Sequence, residues 1–262
     1  MTLWLFGDSI FRGAALGRFP DEHSPAQIVA EPLWPLRSPA AVMNLMLGEE
    51  VVRHGGVTRL PGGVDKAAAA LRRRFGPGGI GPSDTVVFLD VGPHAGDPDR
   101  HEAQWRTLRR AASGEHPVRL LMCGGFDHGA RGKRMCQHDL VFGARSHNDA
   151  VRAAAEAEVD EAGATSFLDL SGPLNAHHHS MAERFSVGAY RPDGVHLNVW
   201  GQVRLCALVL AAAFPDRPLS ATALLAFASG HWPAMGAGSR SDAAAMMRLS
   251  LAAGGPGAMV AA

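Results

Sequence analysis

Two short stretches carry side chains able to do nucleophilic chemistry together. Gly7-Asp8-Ser9 follows the apolar run Leu3 to Phe6, which reads as a buried strand ending abruptly at Gly7. Ligands of an open parallel sheet bind beyond the carboxyl ends of its strands. A serine on a tight turn there exposes its hydroxyl and leaves its backbone N–H free, and the next helix points its N-terminus at a bound anion. Asp8 and Ser9 equally suit the capping of that helix. Far along the chain, Tyr190-Arg191-Pro192-Asp193-Gly194-Val195-His196-Leu197-Asn198 sets an Asp three residues before a His, in a Pro/Gly turn ahead of a helix. An imidazole whose one ring nitrogen has an acceptor can take a serine proton on the other. A turn of this spacing folds Asp193 back onto His196, although Asp193 also suits a cap or turn position.

The two motifs, in this order and near the two ends of an α/β unit, resemble those of the SGNH/GDSL hydrolase superfamily. That family carries Gly-Asp-Ser after its first strand and Asp-x-x-His before its last core helix. The resemblance runs from about Leu3 to Phe214 and takes in Asn148 at the start of a helix and Phe167-Leu168-Asp169-Leu170 as a last strand. It implies Ser9 as nucleophile, His196 as general base and then acid, and Asp193 as the residue that orients the imidazole. It also implies an oxyanion hole built from the Ser backbone N–H, a Gly N–H after the second strand and an Asn side chain after the third.

Two of those donor positions differ here. The third-strand segment reads Asp90-Val91-Gly92-Pro93-His94, with His94 where Gly-x-Asn would place Asn. The second reads His54-Gly55-Gly56-Val57-Thr58-Arg59, with Arg59 where a second Gly often falls and with Gly55, Gly56, Gly62 and Gly63 close by. His94 or the Arg59 guanidinium would restore a donor worth roughly 10²–10³ in turnover; alternatively, His94 is a solvent-facing residue and Arg59 a surface ion-pair partner. Asp8, Gly56, Arg59, Gly92 and His94 therefore form the candidate oxyanion and substrate set. His128, after the fourth strand, is a substrate-contact candidate, and Trp34, Trp105 and Trp200 are candidates for a sugar-stacking face or for the core. His177-His178-His179 reads as a flexible loop or as substrate-rim positions rather than a metal site, because three consecutive residues cannot all face one ion.

The elements that must position these residues are short apolar runs alternating with helical patterns. Strands are expected at Leu3–Phe6, Val51–Val52, Thr85–Leu89, Val118–Cys123 and Thr165–Leu168. Helices are expected from Pro39 (behind an N-cap at Ser38) to Leu47, Val64 to Phe75, Asp99 to Ala112, His147 to Ala162 and Asn198 to Phe214. This alternation predicts parallel βαβ units in a three-layer α/β/α sandwich, a five-stranded sheet in the flavodoxin-like order 2-1-3-4-5. The domain is expected over residues 1–216. Residues 217–262, rich in Ala, Gly, Met and Ser, read as an appendage with helices near Ala221–Ala228 and Asp242–Ala252, packing on the domain or supporting self-association.

The chain has 262 residues, with 47% hydrophobic, 19% charged and 6% aromatic. It is too apolar for a disordered chain and too charged for a bundle of membrane spans. Twenty-five basic residues balance 25 acidic ones, which argues against nucleic acid or an anionic membrane as main partner. Three scattered Cys residues, Cys123, Cys136 and Cys206, and the lack of a basic n-region before Phe6 lead us to expect a cytoplasmic protein with reduced thiols. The expected activity is hydrolysis of a short-chain ester, such as an O-acetyl group on a carbohydrate or small metabolite, with no cofactor and no metal. Acyl transfer by the same triad, and ligand capture without catalysis, are the alternatives.

Overall fold

The computed structural model describes residues 1–7, 11, 38–57, 64–89, 98–113, 118–125, 147–157, 165–190 and 197–252. Among them are five strands: β1 (Leu3–Gly7), β2 (Val52–Val57), β3 (Thr85–Leu89), β4 (Arg119–Cys123) and β5 (Thr165–Leu168). All pair in parallel, in the order β2-β1-β3-β4-β5. The described α-helices are α1 (Pro39–Leu47), α2 (Val64–Arg72), α3 (Pro98–Ser113), α4 (His147–Glu156), α5 (Ser171–Phe185), α6 (Val199–Ala213), α7 (Thr222–His231) and α8 (Arg240–Leu251). The α/β class, the parallel sheet and its order are those expected from the sequence.

Alternate residues of a strand face opposite sides of the sheet. On one side Trp4, Phe6, Val86, Phe88, Leu120 and Met122 form one core with Ala68 and Leu71 of α2, Trp105 and Leu108 of α3, and Val151 and Ala154 of α4. The alternate residues Leu3, Leu5, Val87, Leu89, Leu121 and Cys123 are buried as well. A parallel sheet covered on both faces needs continuous apolar runs, which is why these strands carry no polar alternation. This burial is consistent with the expected three-layer sandwich. Beside β3, Asp84 accepts hydrogen bonds from Thr2 N, Trp4 Nε1 and Gly81 N, tying the start of β1 to the start of β3.

By internal contacts the chain divides into two compact units. One comprises Met1–Arg12, Val51–His128 and Gly132–Gly172, and holds the sheet with α2, α3 and α4. The other comprises Gly13–Glu50, Gly129–Arg131 and Pro173–Ala262. In this second unit α6 packs against α1 and α8, and α7 packs against α8 and α1. Ser38 caps α1 by accepting from Ala41 N, and Gly48 ends it at φ 70°, a left-handed conformation that glycine adopts without a Cβ clash. The residues after Arg217, expected as an appendage, pack on α1 and α6 of their own chain, with Ser220 N donating to Met46 O.

Four elements differ from expectation, one of them α4, which ends at Glu156 instead of running to Ala162. β2 runs through Val57 rather than stopping at Val52, although Gly55 and Gly56 disfavour a strand. Its pairing shifts between Leu5 and Phe6, so that Leu5 faces His54 and Phe6 faces Gly56. A Cβ on Gly55 would lie 2.3 Å from the Phe6 ring, so glycine is what lets the edge strand bulge over that ring. α2 ends at Arg72, short of Phe75, and Arg74 turns back to donate from Nε to Gly55 O. Finally, His177-His178-His179 lies inside α5 and not in a flexible loop. Pro173 is no break there, because a proline in the first turn removes no helical hydrogen bond.

Candidate functional site

The carboxyl ends of all five strands lie in one register. Gly7 pairs with Val57 on one side and Leu89 on the other, Leu89 pairs with Cys123, and Cys123 with Leu168. The five strands therefore end along one edge of the sheet, at Gly7, Val57, Leu89, Cys123 and Leu168. In this strand order the chain runs to opposite sides from β1 and β3, and the crevice of such a sheet opens at that reversal. A Cβ on Gly7 would lie 2.9 Å from Leu89 O and 2.9 Å from the Phe11 ring. Glycine thus lets β1 end against the β3 carbonyl, with the buried Phe11 folded back onto it.

Of the candidate residues, Gly56 lies within β2, opposite Phe6 and one residue before the strand ends. Asp8, Ser9, Arg59, Gly92, His94, Asp193 and His196 lie outside the described residues, as do Trp34, His128 and Cys136. Ser9 belongs to the first compact unit, and Asp193 and His196 to the second.

The described residues show how the edges of these segments are held. After β4, Gly124 N donates to Leu168 O and extends the ladder. Gly125 N donates to Asn148 Oδ1 at 2.9 Å and Asn148 Nδ2 donates to Gly125 O at 3.3 Å. The side-chain amide of α4 thus replaces a neighbouring strand. After β5, Asp169 Oδ1 accepts from Ser171 N and starts α5.

The residues on either side of Asp193 and His196 are held more tightly. Tyr190 and Leu197 form an antiparallel bridge. Asn198 N donates to Ala189 O, and Asn198 Nδ2 donates to Gly188 O at 2.6 Å. The same side chain caps α6, its Oδ1 accepting from Trp200 N and Gly201 N. Sequence reasoning placed Asn198 at a helix start, where its N-cap role was legible, but not its second role as a clamp. Asn175 was not singled out in the sequence, and His178 only within the His177-His178-His179 run; their shared signal is three-residue spacing on one helical face.

The chain matches no protein-family model, no curated protein and no solved structure. The chemistry of the site therefore rests on its own residues.

Two expected contributors drop out. Trp105 and Trp200 are about 1% exposed, so neither presents a stacking face for a sugar; the Trp105 indole donates to His101 Nε2. Among the described residues no group of three ligand side chains could hold a metal ion, and no helix is long and apolar enough to cross a membrane.

His177 is buried between α5 and α8. The Ser250 hydroxyl donates to Met246 O at 2.9 Å, so its oxygen is left to accept from His177 Nε2 at 3.3 Å. Burial first, then the Arg204 and His178 charges, lower the imidazole from its ordinary 6.5 to about 4, while the Trp200 backbone acts in the opposite sense. The unfolded chain takes up this proton below about pH 6.5 and the folded chain only near pH 4. Its contribution is therefore complete above pH 6.5 and declines by about 3 kcal/mol as pH falls through that window. Gln at 177 keeps a donor near Nε2 but does not titrate. Urea midpoints of His177→Gln should fall less than those of wild type between pH 7 and pH 4. Equal slopes would remove His177 as a source of acid sensitivity.

Proposed function

We propose that the protein is a serine-dependent hydrolase of short-chain carboxylic esters. Ser9 attacks the acyl carbonyl, His196 takes its proton and returns it to the leaving alcohol, and Asp193 accepts from the other imidazole nitrogen. Water then releases the acyl group by the same proton path. The observation that carries this reading is the common register of the strand ends, with β1, which ends two residues before Ser9 in the sequence, at the point where the strand order reverses. The clamped Tyr190–Asn198 stretch, which brackets Asp193 and His196, adds support. With Trp105 and Trp200 in the core, Trp34 is what remains of the three tryptophans considered for stacking on a carbohydrate. The cytoplasm is the proposed location, on the scattered spacing of Cys123, Cys136 and Cys206 in the sequence.

A fluorophosphonate probe tests the reading directly. Labelling of the folded protein at Ser9, located by peptide mass spectrometry, is expected; a folded protein that resists the probe would overturn it. Chromogenic esters of increasing chain length then define the acyl group.

If His94 supplies the missing oxyanion donor, it acts on the transition state. His94→Ala is expected to lower kcat about 10²-fold with little change in KM, and His94→Asn to recover part of it. Arg59→Ala is expected to behave likewise, or to raise KM where the guanidinium holds an anionic substrate group. Wild-type kcat/KM in His94→Ala would make His94 a bystander and leave the hole to backbone N–H groups.

A further inference from the structure

α5 and the residues that follow it turn back on one another through His178. Its Nδ1 accepts the Ala189 amide at 3.0 Å. Its ring lies edge-on to Tyr190, with centroids 5.0 Å apart, and the Tyr190 hydroxyl donates to Asn175 Oδ1 one helical turn away. Gly188 leaves the imidazole its place, since a Cβ there would lie 2.3 Å from the His178 ring. The chain enters the Asp193–His196 segment from Tyr190 and leaves it at Leu197, and these two residues pair. Asn198 holds the exit side; His178 holds the entry side.

We propose that His178 is a positioning residue for the hydrolytic reaction, fixing through the Ala189 amide and the Tyr190 ring the entry arm of the segment that carries Asp193 and His196. The proposal rests on the reading of Ser9, Asp193 and His196 as a triad. An imidazole misplaced by about 1 Å can cost about 10² in rate, so an arm clamped at both ends has a direct catalytic consequence.

Only the neutral imidazole can serve. Its Nδ1 must offer a lone pair to the Ala189 N–H, and a protonated ring would set two donors against each other. Burial, and then the neighbouring His179, hold His178 below its ordinary pKa and so preserve the acceptor. The titratable groups facing it among the described residues are His177 and His179 on α5 and Tyr190 from the packed segment. Acid should therefore release the arm, in addition to protonating His196 itself.

The test compares wild type with His178→Leu, which removes the acceptor, and His178→Asn, whose Oδ1 stands near the lost Nδ1. Amide exchange over residues 186–198 and steady-state kinetics on the best ester are both read. In His178→Leu, the Ala189 amide is expected to exchange about tenfold faster or more, as for one lost hydrogen bond, and kcat to fall about 10²-fold with KM nearly unchanged. His178→Asn should restore protection and most of kcat. Wild-type kcat should show a further proton-dependent loss on the acid side that His178→Asn lacks. Unchanged exchange in His178→Leu would overturn the clamp. Faster exchange with unchanged kcat would overturn the positioning role. A wild-type protein that resists the fluorophosphonate would instead sink the hydrolase reading and this role with it, while the exchange data separately report on the clamp.

Discussion

Ser9→Ala is expected to lower kcat/KM on p-nitrophenyl acetate by about 10⁴-fold or more, with the melting temperature close to that of wild type. The size follows from the loss of the covalent route: without the hydroxyl, neither His196 nor Asp193 has a nucleophile to serve, and only the binding and electrostatic part of catalysis survives. His196→Ala should cost nearly as much, and the double variant little more than either alone, because residues acting as one unit are strongly non-additive. Additive losses would mean that the two act in separate steps. Equal rates for wild type and Ser9→Ala would remove the serine mechanism altogether, leaving ligand capture as the better account of the sheet edge.

Asn198 is expected to produce the second-largest effect, because one side chain holds both a helix and the segment before it. Asn198→Ala removes the cap on Trp200 N and Gly201 N, at about 1 kcal/mol. It also takes the donor from Gly188 O, at about 1–3 kcal/mol. A fall in melting temperature of about 10 °C is the corresponding scale for a chain of this size. Turnover should fall about 10²-fold as well, through loss of alignment at the adjoining His196. Asn198→Asp separates the two roles. Its carboxylate still caps the helix, with the helix dipole in its favour, but presents an acceptor where Gly188 O needs a donor. Melting should therefore recover only the smaller, capping share of the loss while turnover stays low. Recovery of both by Asp would show that the cap alone matters.

How much of this was legible along the chain follows from how local each cause is. The strands at Thr85 and Leu3 are apolar on both faces, as a covered parallel sheet requires, and α1 announces itself by Ser38, Pro39 and Gly48. α5 was not expected: its stretch was read only through His177-His178-His179, whereas Asp169, accepting from Ser171 N, starts a helix there. For the site, the Gly7-Asp8-Ser9 and Asp193-to-His196 spacings stood out because their chemistry is written in residue type. The residues that hold them did not, since a hydrogen bond from Ala189 to His178 spans eleven positions and leaves no periodic trace.

The sequence by itself determined what depends on neighbours within a turn or two: the apolar runs, the caps, the alternation of strand and helix, and through it the α/β class. Tertiary structure alone decided what depends on distant atoms meeting. It aligned Gly7, Val57, Leu89, Cys123 and Leu168 along one edge, bulged β2 over the Phe6 ring at Gly55, sent Trp105 and Trp200 into the core, and set His178 and Asn198 on the two arms around Asp193 and His196. The physical reason is that propensity and capping act through bonds and contacts local to the chain, whereas register, bulges and clamps are fixed by the close packing of side chains that only the finished fold brings together.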